Sequence, residues 1–371
     1  MGDYGHNPKL SRSHHYHEPP DRATFGLRSK FQQLTEARRA KRSPASSSVP
    51  DLQGVGNLLW RPLRADDHSR LMQLVSDVED VENPPFRTTS GELSELFAPG
   101  YTTNSVGGFH GNDLLAYGFV RIPDFDAPFE VATLSGTIHP NARDAEIATK
   151  LLSWQVAAAR SLVSERARGV PAYVQIHVDE SESGSHELLS GHGFVAHGVV
   201  TQMRRQLDDD LPKIEVPSHV RIEPWTEELH DAVKQVHDLA FEQAGEDMAV
   251  SQKEWTRARE RFVPEWSYVA VDRSTDRARI AGYVLAAKWE EDWTALGWSE
   301  GYIEAIGVLE EWRSQGVAKS LLVKSMKAMR RDGMEYAGLD ADNQNPTGAQ
   351  QVFATLGFEP THTTTQYVVE L

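Results

Sequence analysis

The chain has 371 residues, 39% of them apolar, a net charge of −16 and no cysteine. No run approaches the ~20 consecutive apolar residues of a membrane-spanning helix, and the absence of cysteine excludes disulfides, thiolate nucleophiles and thiolate metal sites. Residues 1–50 carry nine Lys/Arg against four Asp/Glu, or +5, which leaves −21 on the remainder; such a body repels nucleic acid and suits a cationic or neutral partner, or simply keeps the protein soluble. The first residues, MGDYGHNPKL, lack the apolar core of a secretory signal, so a cytoplasmic protein with no membrane association is expected.

Residues 1–56 read as a disordered basic tail, rich in polar and Pro/Ser clusters with little hydrophobic periodicity. Arg28 to Arg42 has the pattern of a short basic helix. His14, His15 and His17 offer metal-ligating nitrogens, but no further ligand is spaced to close a site, and no metal is expected.

Beyond the tail the chain repeats its plan. Leu59-Trp60-Arg61-Pro62-Leu63-Arg64 reads as a strand entering a helix cap, and Val220-Arg221-Ile222-Glu223-Pro224-Trp225 does the same. Each unit continues with a helix, several strands, a long helix, a strand and a short helix, and closes on Gly-Phe (Gly193-Phe194 and Gly357-Phe358). The division expected is residues 57–206, an acidic Pro-containing linker at 207–218, and residues 219–371. In the second unit, Trp266–Val271, Ile280–Ala287 and Tyr302–Val308 have strand character. Val317, Leu321, Leu322, Met326 and Met329 repeat at helical spacing and predict one buried stripe. A strand at Tyr336–Leu339, a helix at Pro346–Leu356 and a last strand ending at Leu371 follow. Strands alternating with helices indicate an α/β domain.

The chemistry is carried by Ile306-Gly307-Val308, a turn, then Arg313-Ser314-Gln315-Gly316-Val317-Ala318. A strand runs through a tight turn into a helix whose first N–H groups have no partner within the helix and whose dipole adds partial positive charge. Gly316 permits the turn, Ala318 permits close approach, and Arg313 adds charge, so the segment is suited to a pyrophosphate. Taken alone R-x-x-G-x-A is a weak pattern; its setting after one strand, at the start of an amphipathic helix and before a second strand adds weight to it.

With Asn345-Pro346-Thr347-Gly348-Ala349 and Phe353-Ala354-Thr355-Leu356-Gly357-Phe358 following, residues 219–371 resemble the GNAT acetyltransferase superfamily, in particular its actinobacterial tandem-domain members; residues 57–206 do so more loosely. The resemblance implies two tandem GNAT-like domains, each a mixed, mostly antiparallel sheet flanked by helices, and acetyl-CoA as cosubstrate. It implies that Ile306 to Val308 offer backbone groups to the pantetheine arm, that Arg313, Gln315, Gly316, Val317, Ala318 and Lys319 wrap the pyrophosphate, and that Asn345 sits beside the pantetheine. It further implies transfer of an acetyl group to an amine: a small molecule, an amino sugar, an antibiotic or a peptide N-terminus. Many members carry a tyrosine where this chain has Phe353, and phenylalanine donates no proton. Tyr367 on the last strand is the alternative acid.

A protonated amine needs a base before it can attack. Residues 302, 304, 306 and 308 share one face of a strand, which makes Glu304 the first candidate, with Glu300 and Tyr302 behind it. The alternative is an edge glutamate held in a salt bridge. The hairpin Trp289 to Trp298 mixes aromatics with carboxylates and suits a cationic acceptor, or is a solvated loop over packed rings. The first unit serves as an internal control: at its loop, His139 to Ala148, Glu146 takes the position of Gly316. A carboxylate there repels phosphate, so this unit is expected to be degenerate, keeping the fold without the cofactor. The sequence leaves monomer and homodimer open. A non-catalytic acyl-CoA-binding protein is the competing reading.

Overall fold

The computed structural model describes residues 15–16, 48–82, 87–124, 129–180, 182–208, 210–243, 255, 261–343 and 348–371. The helix expected at Arg28 to Arg42 lies outside them. Residues 48–56, assigned above to the tail, pack on the first unit: Leu52 is buried, and Val49 and Val55 lie against the same cluster.

In the first unit, β2 (Leu59–Arg61) is followed by helices α1 (His68–Glu82) and α2 (Ser90–Glu95). An antiparallel meander of β3 (Tyr101–His110), β4 (Asp113–Pro123) and β5 (Glu130–Ile138) comes next. The long helix α3 (Ala145–Arg166), β6 (Ala172–Asp179), α4 (Ser183–Gly191) and β7 (Val195–Gln206) complete it. The second unit repeats the order: β8 (Val220–Pro224), α5 (His230–Glu242), β9 (Tyr268–Asp272), β10 (Arg279–Lys288), the single turn α6 (Trp293–Leu296), β11 (Glu300–Val308), α7 (Val317–Arg331), β12 (Tyr336–Asp342), α8 (Ala349–Thr355) and β13 (Glu359–Glu370). A two-residue β1 (His15–Tyr16) pairs with β5.

Local chemistry explains the repeat. The stripe predicted on α7 is buried in full (Val317, Leu321, Leu322, Met326, Met329), and Arg330 and Arg331 in its last turn oppose the helix dipole. Both short helices end identically: Phe194 N–H donates to Leu189 O and Phe358 N–H to Phe353 O, with Gly193 and Gly357 at positive φ between them. This six-to-one closure satisfies carbonyls that a helix end leaves open.

Among the described residues, thirteen strands form one continuous sheet, twelve of them in the order β2-β3-β4-β5-β6-β13-β7-β12-β11-β10-β9-β8 and β1 joined beside β5. The order departs from a simple end-to-end tandem. The last strand of each unit is exchanged: β13 pairs with β6 of the first unit, β7 pairs with β12 of the second, and the two lie antiparallel to each other. The cores interlock accordingly. Met203 from the first unit and Leu207 at the start of the linker enter the second unit's core, while Tyr367 enters the first unit's. Arg204 on β7 forms a mostly buried ion pair with Glu300 on β11, and its guanidinium lies 4.8 Å from the Trp298 ring.

Candidate active site

The site is built where two parallel strands part. β11 and β12 pair from Glu300↔Tyr336 to Ile303↔Leu339 and no further, although β11 continues to Val308. On its other edge β11 pairs with β10, and the register steps there: Leu285 faces Ala305 while Ala286 faces Ile303. Glu304 is therefore the extra residue of a β-bulge at the mouth of the wedge. A bulge re-aims its residue and bends the strand, so the simple alternation expected over residues 302–308 does not run through this point. Ile306 and Val308, further up the wedge, are half-buried.

The half-buried Glu304 side chain is held from the hairpin that precedes β11. Trp289 Nε1 donates to Glu304 Oε1 at 2.6 Å, and the Arg261 guanidinium sits 3.9 Å from the centroid of the same indole. Sequence reasoning grouped Trp289 with an acceptor-binding surface and missed this bond; an indole N–H two strand lengths from a strand carboxylate leaves no periodic signal. Glu300, a reserve base above, is instead committed to Arg204.

From Val308 the chain passes through one 3₁₀ turn into the loop. Ser314 (φ 62) and Gly316 (φ 79) both take the left-handed conformation, an arrangement that turns successive N–H groups toward one point. Among the described residues, the N–H groups of Gln315, Gly316, Val317, Ala318 and Lys319 have no acceptor. Gly316 is constrained twice, because a Cβ there would lie 2.7 Å from Glu215 O in the linker. The Arg313 guanidinium faces inward: Nε donates to Val308 O at 3.0 Å and Nη2 to Ala240 O at 2.9 Å. It ties the loop to the end of β11 and to α5. Gln315 Nε2 donates back to Glu311 O. Asn345 lies outside the described residues.

Phe353 is buried with its ring edge-on to Phe358 at 6.2 Å, and another sequence-selected position is not brought to this wedge. Tyr367, the candidate acid, lies on β13 between β6 and β7, and its hydroxyl shares a 2.8 Å hydrogen bond with His186 Nδ1 of α4. Strand exchange takes it into the first unit, three strand spacings or roughly 14 Å from β11. Burial raises its pKa and keeps the phenol protonated.

The first unit has the same frame with the loop closed. β5 and β6 pair from Glu130↔Ala172 to Thr133↔Gln175 and then separate. Arg143 Nε reaches Ile138 O, as Arg313 reaches Val308 O. The next residue, Asp144, caps the helix: its Oδ1 accepts from Glu146 N at 2.6 Å. Helix α3 thereby begins at Ala145, two positions before the equivalent of Val317, and Glu146 stands where Gly316 makes its turn. The β4–β5 register runs unbroken, so Glu304 has no counterpart.

Among the described residues, no group of three or more His, Asp or Glu could hold a metal, and no helix is long and apolar enough to cross a membrane. A splayed parallel pair feeding a left-handed loop at a helix start is the arrangement expected above of a GNAT-like fold. Residues 228–358 match the model of the acetyltransferase (GNAT) family. The chain is 33% identical over 100 residues to mycothiol acetyltransferase of Thermobifida fusca, covering 26% of this chain and 30% of that protein. It is 34% identical over 97 residues to the N-terminal acetyltransferase A complex catalytic subunit ard1 of Schizosaccharomyces pombe, covering 26% of this chain and 52% of that one. The chain thus spans about a third to a half of the length of these relatives. Among solved structures, a GCN5-related N-acetyltransferase from Sphaerobacter thermophilus superposes with a TM-score of 0.65 at 18% identity, over 87% of this chain and 97% of its own. A tandem GNAT protein from the clavulanic acid biosynthesis pathway gives 0.62 at 18% identity, over 85% and 98%. These two likenesses concern the fold, and they extend it to both units.

Proposed function

We propose that the second unit binds acetyl-CoA and transfers its acetyl group to an amine by direct attack. The observation that carries this reading is the open loop at residues 313–318, whose N–H groups lack acceptors and which directly follows the wedge. The edges of Ile306 and Val308 face the opening and suit the amides of a pantetheine arm. The N–H groups of Gln315, Gly316, Val317, Ala318 and Lys319 suit a pyrophosphate, and Arg313 keeps the loop in shape. Asn345, just past β12, is assigned to the pantetheine.

Glu304 is the proposed base. It takes a proton from the acceptor ammonium, directly or through one water, and the bond from Trp289 fixes its carboxylate at the mouth of the wedge. The freed amine attacks the acetyl carbonyl, the C–N bond forms, the C–S bond breaks, the nitrogen gives up its second proton to solvent and the thiolate takes up a proton. Neither Phe353 nor Tyr367 supplies that proton here, so it comes from water; a thiol with a reference pKa of ~8.5 is a tolerable leaving group. Holding both partners together contributes much of the rate. The carboxylates about Trp289 and the acidic body favour a cationic acceptor, either a small molecule or a peptide amine. An interior without cysteine suits the cytoplasm.

Thiol release from acetyl-CoA across a panel of amines tests the reading; turnover with at least one amine is expected. Tight CoA binding with no turnover on any amine would instead favour a non-catalytic acyl-CoA-binding protein, the reading that Phe353 supports.

A further inference from the structure

The first unit also has a wedge, and the two-residue strand His15–Tyr16 lies in it. Beyond Thr133↔Gln175, β5 loses β6 as a partner but continues to Ile138. A strand edge inside a fold exposes N–H and C=O groups whose burial without partners is costly. Here β1 lies antiparallel to β5, with His15 opposite Thr137 and Tyr16 opposite Gly136, and it runs alongside β6 as well.

The position of this pairing is informative. Ile138 and Val308 are equivalent, since each ends its strand and each accepts from the arginine five residues on. Gly136 and Thr137 are therefore the equivalents of Ile306 and Gly307. In the first unit a peptide strand takes the place assigned to the pantetheine arm in the second. The surroundings agree: Ser135, Thr137 and His177 are buried, and in the loop the Glu146 N–H is already taken by the Asp144 carboxylate, which also places a negative charge where a pyrophosphate would sit. The chain re-enters the first unit's core at Val49, 33 residues after Tyr16. That span reaches up to ~110 Å when extended, so it easily allows the seating, and tethering raises the local concentration of the segment to about the millimolar range.

We propose that the strand His15–Tyr16 is the built-in occupant of the first unit's wedge. It is held by strand addition and closes that unit to acyl-CoA, so the chain binds one CoA. The stoichiometry rests on the acetyl-CoA reading of the second unit; the seating does not.

The absence of cysteine gives a clean test on the full-length chain. Directly opposed antiparallel positions have Cα atoms ~4.5–5.5 Å apart, within disulfide reach. The double variant His15→Cys/Thr137→Cys is expected to lose both titratable thiols on mild oxidation as an intrachain disulfide. The pair Tyr16→Cys/Ile306→Cys, which probes the second wedge, should keep both. Two free thiols in the first variant, or closure in the second, overturns the seating. As a check without cysteines, Tyr16→Pro removes one backbone donor from β1, and hydrogen exchange across residues 134–138 should quicken at least tenfold; unchanged exchange counts against the proposal. Calorimetry with CoA on the unaltered chain should give one site, and two sites would overturn the closure. No binding at all would instead refute the proposed function and leave the disulfide result standing.

Discussion

The two units share a frame and differ at two points, each a single local change. In the first, β5 runs against β4 without a step and the following helix is capped by Asp144. In the second, β11 carries one extra residue, Glu304, and Ser314 and Gly316 turn left-handed, so the helix starts two positions later. One inserted carboxylate and two residues of unwound helix separate the wedge proposed to hold an anion and take a proton from the one proposed to do neither. The sheet, the long helix, the strand-end arginine and the Gly-Phe closure are common to both, so they belong to the fold and not to the chemistry.

The largest expected effect comes from the residue without a counterpart. Glu304→Gln keeps the size of the side chain and can still accept from Trp289, but it takes up no proton. General-base catalysis contributes ~10²–10⁴-fold, so kcat should fall about 1,000-fold while CoA affinity stays within about twofold. Stopped-flow thiol release with calorimetry reads both. Equal activity at neutral pH would reduce Glu304 to a strand-edge residue and remove half of the contrast between the units.

Much of this was readable beforehand, for physical reasons. The loop announces itself because glycine, a small residue and an arginine fall at fixed offsets between a strand and an amphipathic helix, and the tandem because Pro62/Pro224 and the two Gly-Phe pairs mark the same corners. Three features were not readable. A one-residue bulge at Glu304 hardly disturbs a two-residue alternation in a strand of nine residues. Partner choice is invisible in a strand's own pattern: Glu359–Glu370 is plainly a strand, but nothing in it says that it pairs with β6 and β7, and that exchange is what carries Tyr367 away from the wedge. Arg313 looked like a charge at the loop mouth, and it binds two backbone carbonyls.

Exchanged strands also predict that the units unfold together, and pH probes this. Each unit holds a buried histidine, His177 on β6 and His237 on α5, and desolvation lowers the pKa of each from 6.5 to about 4. His237 also shares a hydrogen bond with the Tyr283 hydroxyl. As pH falls below 6.5 the unfolded chain takes up these protons first, so stability declines between pH 6.5 and about 4; a 2.5-unit shift amounts to roughly 3 kcal/mol for each histidine. His237→Asn should flatten the slope of chemical-denaturation stability over this window by about half of the histidine contribution, in a single transition. Two separate transitions, only one of them altered, would mean that the units are thermodynamically independent despite the shared sheet.

The finest test moves the first unit's cap into the second. Gly316→Glu copies Glu146 but places a side chain at φ 79 against the Glu215 carbonyl, so lost binding would be hard to separate from local misfolding. Ser314→Asp avoids that difficulty. Aspartate tolerates the left-handed conformation that Ser314 already adopts, and its carboxylate can accept from the N–H two residues on, as Asp144 does from Glu146. It removes one donor from the cradle and adds a charge of the same sign as a pyrophosphate. At ~8 Å and an effective dielectric of ~20 the repulsion is about 2 kcal/mol, which corresponds to a loss in CoA affinity of roughly 30-fold. The penalty should shrink as salt rises. Ser314→Asn, with the same shape and no charge, should change affinity only a few-fold. If the two variants bind CoA equally well, the anion is held elsewhere and the difference between the two loops has no bearing on cofactor binding.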